Sequence, residues 1–128
     1  MHTRLARVFA RYPEVRAVYL FGSRAQGTAR KESDYDLAVL FEGDFGEVYL
    51  DLLAELVDAG FERVDLVDLS RASPALKFAA VRGELLYRRA DFDPASFFSR
   101  VAREYWDQEP FYRRVEEGLK RRWSARKS

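Results

Sequence analysis

Apolar residues recur along this chain with two rhythms. Dense runs of β-branched and aromatic residues mark strands, and stripes spaced three and four apart mark helices. Residues 3–12 place Leu5, Val8, Phe9 and Tyr12 on one helical stripe, with Thr3 as the candidate cap and Pro13 as the stop. Residues 15–21 (VRAVYLF) read as a strand ending at Gly22, residues 23–28 as a short helix and residues 29–33 as a polar loop. A second strand covers residues 37–41 (LAVLF), with Asp34 and Asp36 at its entrance. Gly43 to Gly46 turn the chain into a helix over residues 47–59, for which Leu50, Leu53, Leu56 and Val57 are the expected core face. Gly60 is its natural stop.

The same reading continues to the C-terminal side. Residues 63–69 (RVDLVDL) form a third strand, and Ser73-Pro74 pairs an N-cap with a proline at the first helical position. That helix runs to about Arg82, Gly83 breaks it, and residues 84–88 (ELLYR) make a fourth short strand. Asp93-Pro94 repeats the cap-and-proline signature before a long final helix. Phe98, Val101, Tyr105, Tyr112, Val115, Leu119 and Trp123 keep close to helical spacing there, and Pro110 imposes a kink or break near Gln108. The order is α-β-α-β-α-β-α-β-α, with the first three strands short and largely buried. It predicts an α/β (α+β) fold, a mixed sheet of about four strands flanked by helices. A single domain over 1–128 is expected, with a core at about 5–90 and a helical extension at about 93–125.

Composition narrows the options. With 128 residues, 48% of them apolar and 15% aromatic, the chain can bury one core and has no room for two ordinary domains. It contains no cysteine, which excludes disulfides and thiolate chemistry. The absence of a membrane-length apolar run or a signal-peptide pattern makes the cytoplasm the expected compartment. Net charge is only +1, and no stacking motif stands out, which argues against direct nucleic-acid binding. The charge is nevertheless uneven. Residues 113–128 carry seven cations and two anions, either a solvated helix end or a docking surface for an acidic partner.

The candidate chemistry lies at strand ends. Alternation along a strand puts Asp34 and Asp36 on one face, roughly 7 Å apart. Two carboxylates so placed repel unless a cation lies between them, and magnesium prefers such oxygen ligands. Gly22-Ser23, leading into a helix, offers bare amides and a hydroxyl to phosphate oxygens. A two-metal site usually needs a third acid from a neighbouring strand. Asp65 and Asp68 differ by three, so only one can join the pair. Asp68 suits a loop or cap role. Asp65, between Val64 and Leu66, reads as a buried charge that needs a metal or a cationic partner.

Structural roles compete at each position. Gly22 can be a turn glycine and Ser23 an ordinary cap; Asp34 can cap a turn, Asp36 can pair with Arg24 or Arg30, and Asp65 with Arg63. Lys77 is placed either to reach a phosphate or on a solvated helix face. The aromatics Phe97, Phe98, Tyr105, Trp106, Phe111 and Tyr112 read as core or interface before they read as a base-stacking platform.

Gly22-Ser23-Arg24-Ala25-Gln26-Gly27, Ser33-Asp34-Tyr35-Asp36-Leu37 and Val64-Asp65-Leu66-Val67 together resemble the nucleotidyltransferases of the DNA polymerase beta superfamily. The small size is similar to the minimal nucleotidyltransferase group, many of whose members are antitoxins paired with HEPN-domain toxins. The resemblance covers residues 5–90 well. It implies that Gly22 and Ser23 bind the triphosphate of an incoming nucleotide. Asp34 and Asp36 would bind two magnesium ions, and Asp65 one metal and, as general base, the attacking hydroxyl. It further implies transfer of AMP from ATP to a tyrosine of a HEPN toxin. Longer relatives carry an extra helical domain for the acceptor. Here that surface is left to the C-terminal helix, a second copy of the chain or a partner protein. The alternatives are a non-catalytic partner-binding antitoxin or scaffold, and a nucleotidyltransferase acting on a small-molecule acceptor.

Overall fold

A computed structural model describes residues 3–22 and 35–108, with 114, 117 and 118 as isolated positions. Four strands, β1 (Val15–Phe21), β2 (Tyr35–Phe41), β3 (Val64–Asp68) and β4 (Glu84–Arg88), form one sheet in the order β3-β2-β1-β4. β1 pairs antiparallel with β2 and with β4, whereas β2 and β3 are parallel. A parallel pair needs a crossover connection, supplied here by helix α2 (Phe45–Asp58). The sheet is therefore mixed, as the sequence predicts.

Alternation along the strands sorts their side chains into two cores. On one face Leu37, Val39 and Phe41 of β2 meet Val18 and Leu20 of β1. They pack under Leu5 and Phe9 of α1 (Thr3–Ala10) and Leu52 and Leu56 of α2. On the other face Ala38, Leu40, Ala17 and Tyr19 lie under Ala80 of α3 (Pro74–Val81) and Phe97 and Val101 of α4 (Pro94–Asp107). Each fully buried leucine contributes about 1.5–3 kcal/mol relative to exposure, so both cores hold the sheet.

The punctuation predicted from sequence is realised by specific bonds. Ser73 Oγ accepts from the Leu76 amide and Pro74 opens α3. Asp93 accepts from the amides of Ala95 and Ser96, and Pro94 opens α4. Gly60 follows α2 with φ +99°, and the amides of Gly60 and Phe61 return to Val57 and Leu56. α4 stops at Asp107 with Gln108 as cap. The break near Gln108 is thus present, while Pro110 lies outside the described residues. No described helix is long and apolar enough to cross a membrane.

Several expectations need correction. Leu56 is buried and Leu53 packs partly buried against the core as expected, but Leu50 and Val57 are 73% and 49% exposed, and Leu52 is buried in their place. α2 gathers Glu47, Asp51, Glu55 and Asp58 on one stripe and is apolar over the rest of its circumference, so spacing alone leaves more than one choice of buried face, and docking against α1 and the sheet selects one. For the same reason α4 buries Phe97, Val101 and Ala102 and leaves Phe98 40% exposed. α2 begins at Phe45 because Asp44 caps it. β3 is not largely buried, because it is an edge strand, and Asp65 on it is exposed. β2 starts at Tyr35, which brings Asp36 inside the strand.

The sheet's two ends differ in character. At one end Arg89 fastens the termini of three strands. Its guanidinium donates to the Pro13 carbonyl at 2.8 Å, to Glu42 at 2.7 and 3.2 Å, and to Asp91 at 2.6 and 3.0 Å. At the other end β1 exits while β2, β3 and β4 begin, and there the candidate chemistry gathers.

Candidate active site

Gly22, Asp36 and Asp65 lie among the described residues. Ser23, Asp34, Arg24 and the predicted helix over 23–28 lie outside them. β1 ends where β2 starts, and Phe21 faces Asp36 across the antiparallel ladder. Asp36 is also the register partner of Asp65 on parallel β3. Neighbouring strands lie about 4.8 Å apart, so these carboxylates leave the sheet side by side on one face. That face is the one covered by α3 and α4, since Asp36 alternates with Leu37 and shares its side with Ala38.

Gly22 completes the arrangement from the other strand. Its φ is +76°, in the left-handed region where side chains are strained. A Cβ built there would stand 2.4 Å from Asp36 Oδ2, so the Asp36 carboxylate occupies the space that a side chain would need. The strand end is thus shaped to bring bare backbone against an acid. Behind the acids Tyr19 is buried, its ring stacked on Phe97 with centroids 6.3 Å apart. Burial pushes its phenol up to about 12, so it stays neutral and adds no charge.

Other sequence candidates are placed differently. Asp68 lies at the opposite end of β3, where Oδ1 accepts from the Ser70 amide at 3.1 Å and its hydroxyl at 2.7 Å. Arg71 is 3.8 Å from the same carboxylate. Asp68 is a turn cap, the role its position suggested. Lys77 Nζ is 3.9 Å from Glu104 on α4. The sequence reading missed a tight contact. A Cβ on Gly83 would lie 2.3 Å from the Leu20 carbonyl oxygen, so the turn from α3 into β4 presses on β1 two residues before Gly22. Local sequence carries only the helix stop; the neighbour comes from tertiary packing.

The fit to a hard cation can be judged from the donor chemistry. Asp36 and Asp65 supply only oxygen, in adjacent register and with Asp65 open to solvent, a set that suits magnesium. Among the described residues no group of three His, Cys, Asp or Glu side chains could hold a metal ion. Asp34, the other member of the expected three-acid set, lies outside them.

Residues 3–92 match the family model described as polymerase beta, nucleotidyltransferase. A protein adenylyltransferase MntA of Aphanizomenon flos-aquae is 28% identical over 107 residues, 74% of this chain and 71% of the relative. One from Shewanella oneidensis is 42% identical over 65 residues, 50% of this chain and 47% of its own length. Among solved structures, a toxin–antitoxin with AMP-PNP superposes with a TM-score of 0.76 at 26% identity. The match covers 92% of this chain and 97% of the other. A variant of the toxin–antitoxin MntA-HpeT does so with a TM-score of 0.74 at 28% identity, covering 93% and 97%.

Proposed function

Because the chain belongs to the polymerase beta nucleotidyltransferase family, we propose that it transfers AMP from ATP to a tyrosine hydroxyl of a HEPN-domain toxin and so acts as an antitoxin. The observation that carries this is the register pairing of Asp36 with Asp65 beside the left-handed Gly22, all at one end of the sheet. The relatives named protein adenylyltransferase and the neighbour solved with AMP-PNP support the donor and the acceptor class.

In this reading the Gly22 and Ser23 amides and the Ser23 hydroxyl hold the triphosphate. Asp34, Asp36 and Asp65 would hold two magnesium ions. When bound, these supply Lewis acidity toward the α-phosphate and the leaving pyrophosphate. The acceptor oxygen attacks the α-phosphorus, and the bond from that phosphorus to the bridging oxygen of the β-phosphate breaks. Asp65, the exposed member of the pair, takes the phenol proton at a carboxylate oxygen, and pyrophosphate departs. The reaction conserves atoms and charge without a redox partner.

The test is magnesium-dependent transfer of label from α-labelled ATP to a co-expressed HEPN partner. Chelator and Asp36→Ala should each abolish it. An Asp36→Ala protein that still neutralises the toxin fully would instead support a non-catalytic, binding-only antitoxin. Labelling of an added aminoglycoside rather than the protein would support a small-molecule acceptor.

A further inference from the structure

The transfer reading leaves open where the acceptor protein sits, and the α3–α4 face answers that. Four aromatic residues meet there. The Phe78 ring stacks on Tyr105 with centroids 4.4 Å apart and touches the rings of Trp106 and Phe98, both at 6.3 Å. Much of this cluster is uncovered: Trp106 is 62% exposed and Phe98 40%. Large apolar side chains grouped and open in this way mark interaction surfaces, whereas scattered ones do not.

Its position ties it to the reaction. α3 and α4 cover the sheet face that carries Asp36 and Asp65. α3 runs toward the acid-bearing end, because the turn after it puts Gly83 against the Leu20 carbonyl. α4 follows β4 from the Arg89 end: Phe92 just before it lies under Arg16 early in β1, while Phe97 in its first turns already stacks on Tyr19, two residues before the end of β1, so the helix runs toward the acids. Trp106 is in its last turn. A protein seated on the cluster therefore lies beside the strand ends where the hydroxyl must arrive. Among the described residues the other exposed large apolar side chains, Leu50 and Val57, are on α2, which covers the opposite face of the sheet.

Charge selects the kind of partner. Arg82 lies over the Phe78 ring, its guanidinium carbon 5.4 Å from the centroid, and is exposed. Arg103, also exposed, is three residues before Trp106 and so on the same side of α4. Of the acids on this part of α4, Glu104 is offset by Lys77 at 3.9 Å and Asp107 stands at the helix end, and the chain beyond adds seven cations against two anions over residues 113–128. An aromatic cluster with an arginine rim fits a partner that presents acidic side chains around an apolar contact. We propose that Phe78, Phe98, Tyr105 and Trp106, flanked by Arg82 and Arg103, form the docking surface for the acceptor protein. The proposal rests on the transfer reading only for the identity of that protein.

The test measures binding separately from transfer. Trp106→Ala should weaken the affinity for the purified HEPN partner by about 30-fold or more, as expected for a central aromatic anchor. Affinity for magnesium AMP-PNP should stay within about twofold, and Leu50→Ala on α2 should change neither. Arg103→Glu, which removes no packing, should weaken partner binding most at low salt. Unchanged partner affinity in both Trp106→Ala and Arg103→Glu overturns the proposal. So does weakened AMP-PNP binding, which would make the cluster a base platform. Loss of a homodimer with partner affinity intact also overturns it. If the wild-type chain binds the partner through Trp106 yet never labels it, the transfer reading fails and the docking surface stands.

Discussion

Replacing Gly22 by alanine separates what the strand end does for stability from what it does for chemistry. The new Cβ would lie 2.4 Å from Asp36 Oδ2 and 3.5 Å from Asp36 Cβ. Carbon and oxygen rest at about 3.3 Å, so the carboxylate oxygen must retreat by about 0.9 Å. A short side chain can do this by leaving its rotamer, at about 0.5–1.5 kcal/mol. The φ of +76° adds about 1–2 kcal/mol for any residue with a Cβ. Gly22→Ala should therefore lose about 1.5–3.5 kcal/mol by urea denaturation. In an Asp36→Ala background the oxygen is gone and 3.5 Å is ordinary contact, so only the backbone term of about 1–2 kcal/mol should remain. The difference across this double-mutant cycle isolates the clash. Transfer of label to the partner should fall far more than stability, by on the order of 100-fold, because a displacement near 1 Å at a reacting group is enough for that. Equal destabilisation in both backgrounds, or an undiminished transfer rate in Gly22→Ala, would refute the reasoning.

Further predictions probe the frame that holds this site. Gly83→Ala puts a Cβ 2.3 Å from the Leu20 carbonyl, a backbone atom that cannot swing aside, so it should destabilise by at least about 1–3 kcal/mol, read from the urea midpoint. On α2, Leu52→Ala should lose about 2–5 kcal/mol while Leu50→Ala stays within about 0.5 kcal/mol, an order that the sequence-derived stripe would have reversed. Hydrogen bonds from Arg89 hold the Glu42 and Asp91 carboxyls below their ordinary values of 4.5 and 3.8. Groups depressed on folding stabilise above the unfolded pKa and lose that contribution as pH falls through the folded one. Tm should therefore drop as pH falls below about 4.5, and Arg89→Met should flatten that part of the profile. An identical Tm slope in the variant would remove Arg89 from the account.

Local physics was enough for much of this protein. Ser73-Pro74, Asp93-Pro94 and Gly60 each solve a problem confined to one helix end, the unpaired amides or carbonyls, and each was legible before any fold was known. The strand at residues 15–21 was likewise legible in its run of β-branched and aromatic residues. The three-part motif was legible too, and with it the chemistry to look for. What the chain order leaves open is which surfaces meet. α2 is apolar everywhere outside its stripe of Glu47, Asp51, Glu55 and Asp58, so which part of that wide face is buried was decided by α1 and the sheet. Asp65 looked buried between Val64 and Leu66, but β3 lies at the sheet's edge and leaves it open to solvent. The fit of the Asp36 carboxylate into the space where Gly22 lacks a side chain, the pressure of Gly83 on β1 and the aromatic cluster across α3 and α4 all join residues distant in sequence. Sequence fixes each residue's donors, charge and local conformational cost, because those depend on near neighbours. The tertiary structure alone decides which of them share a face and an end of the sheet, because burial and contact are properties of the assembled layers.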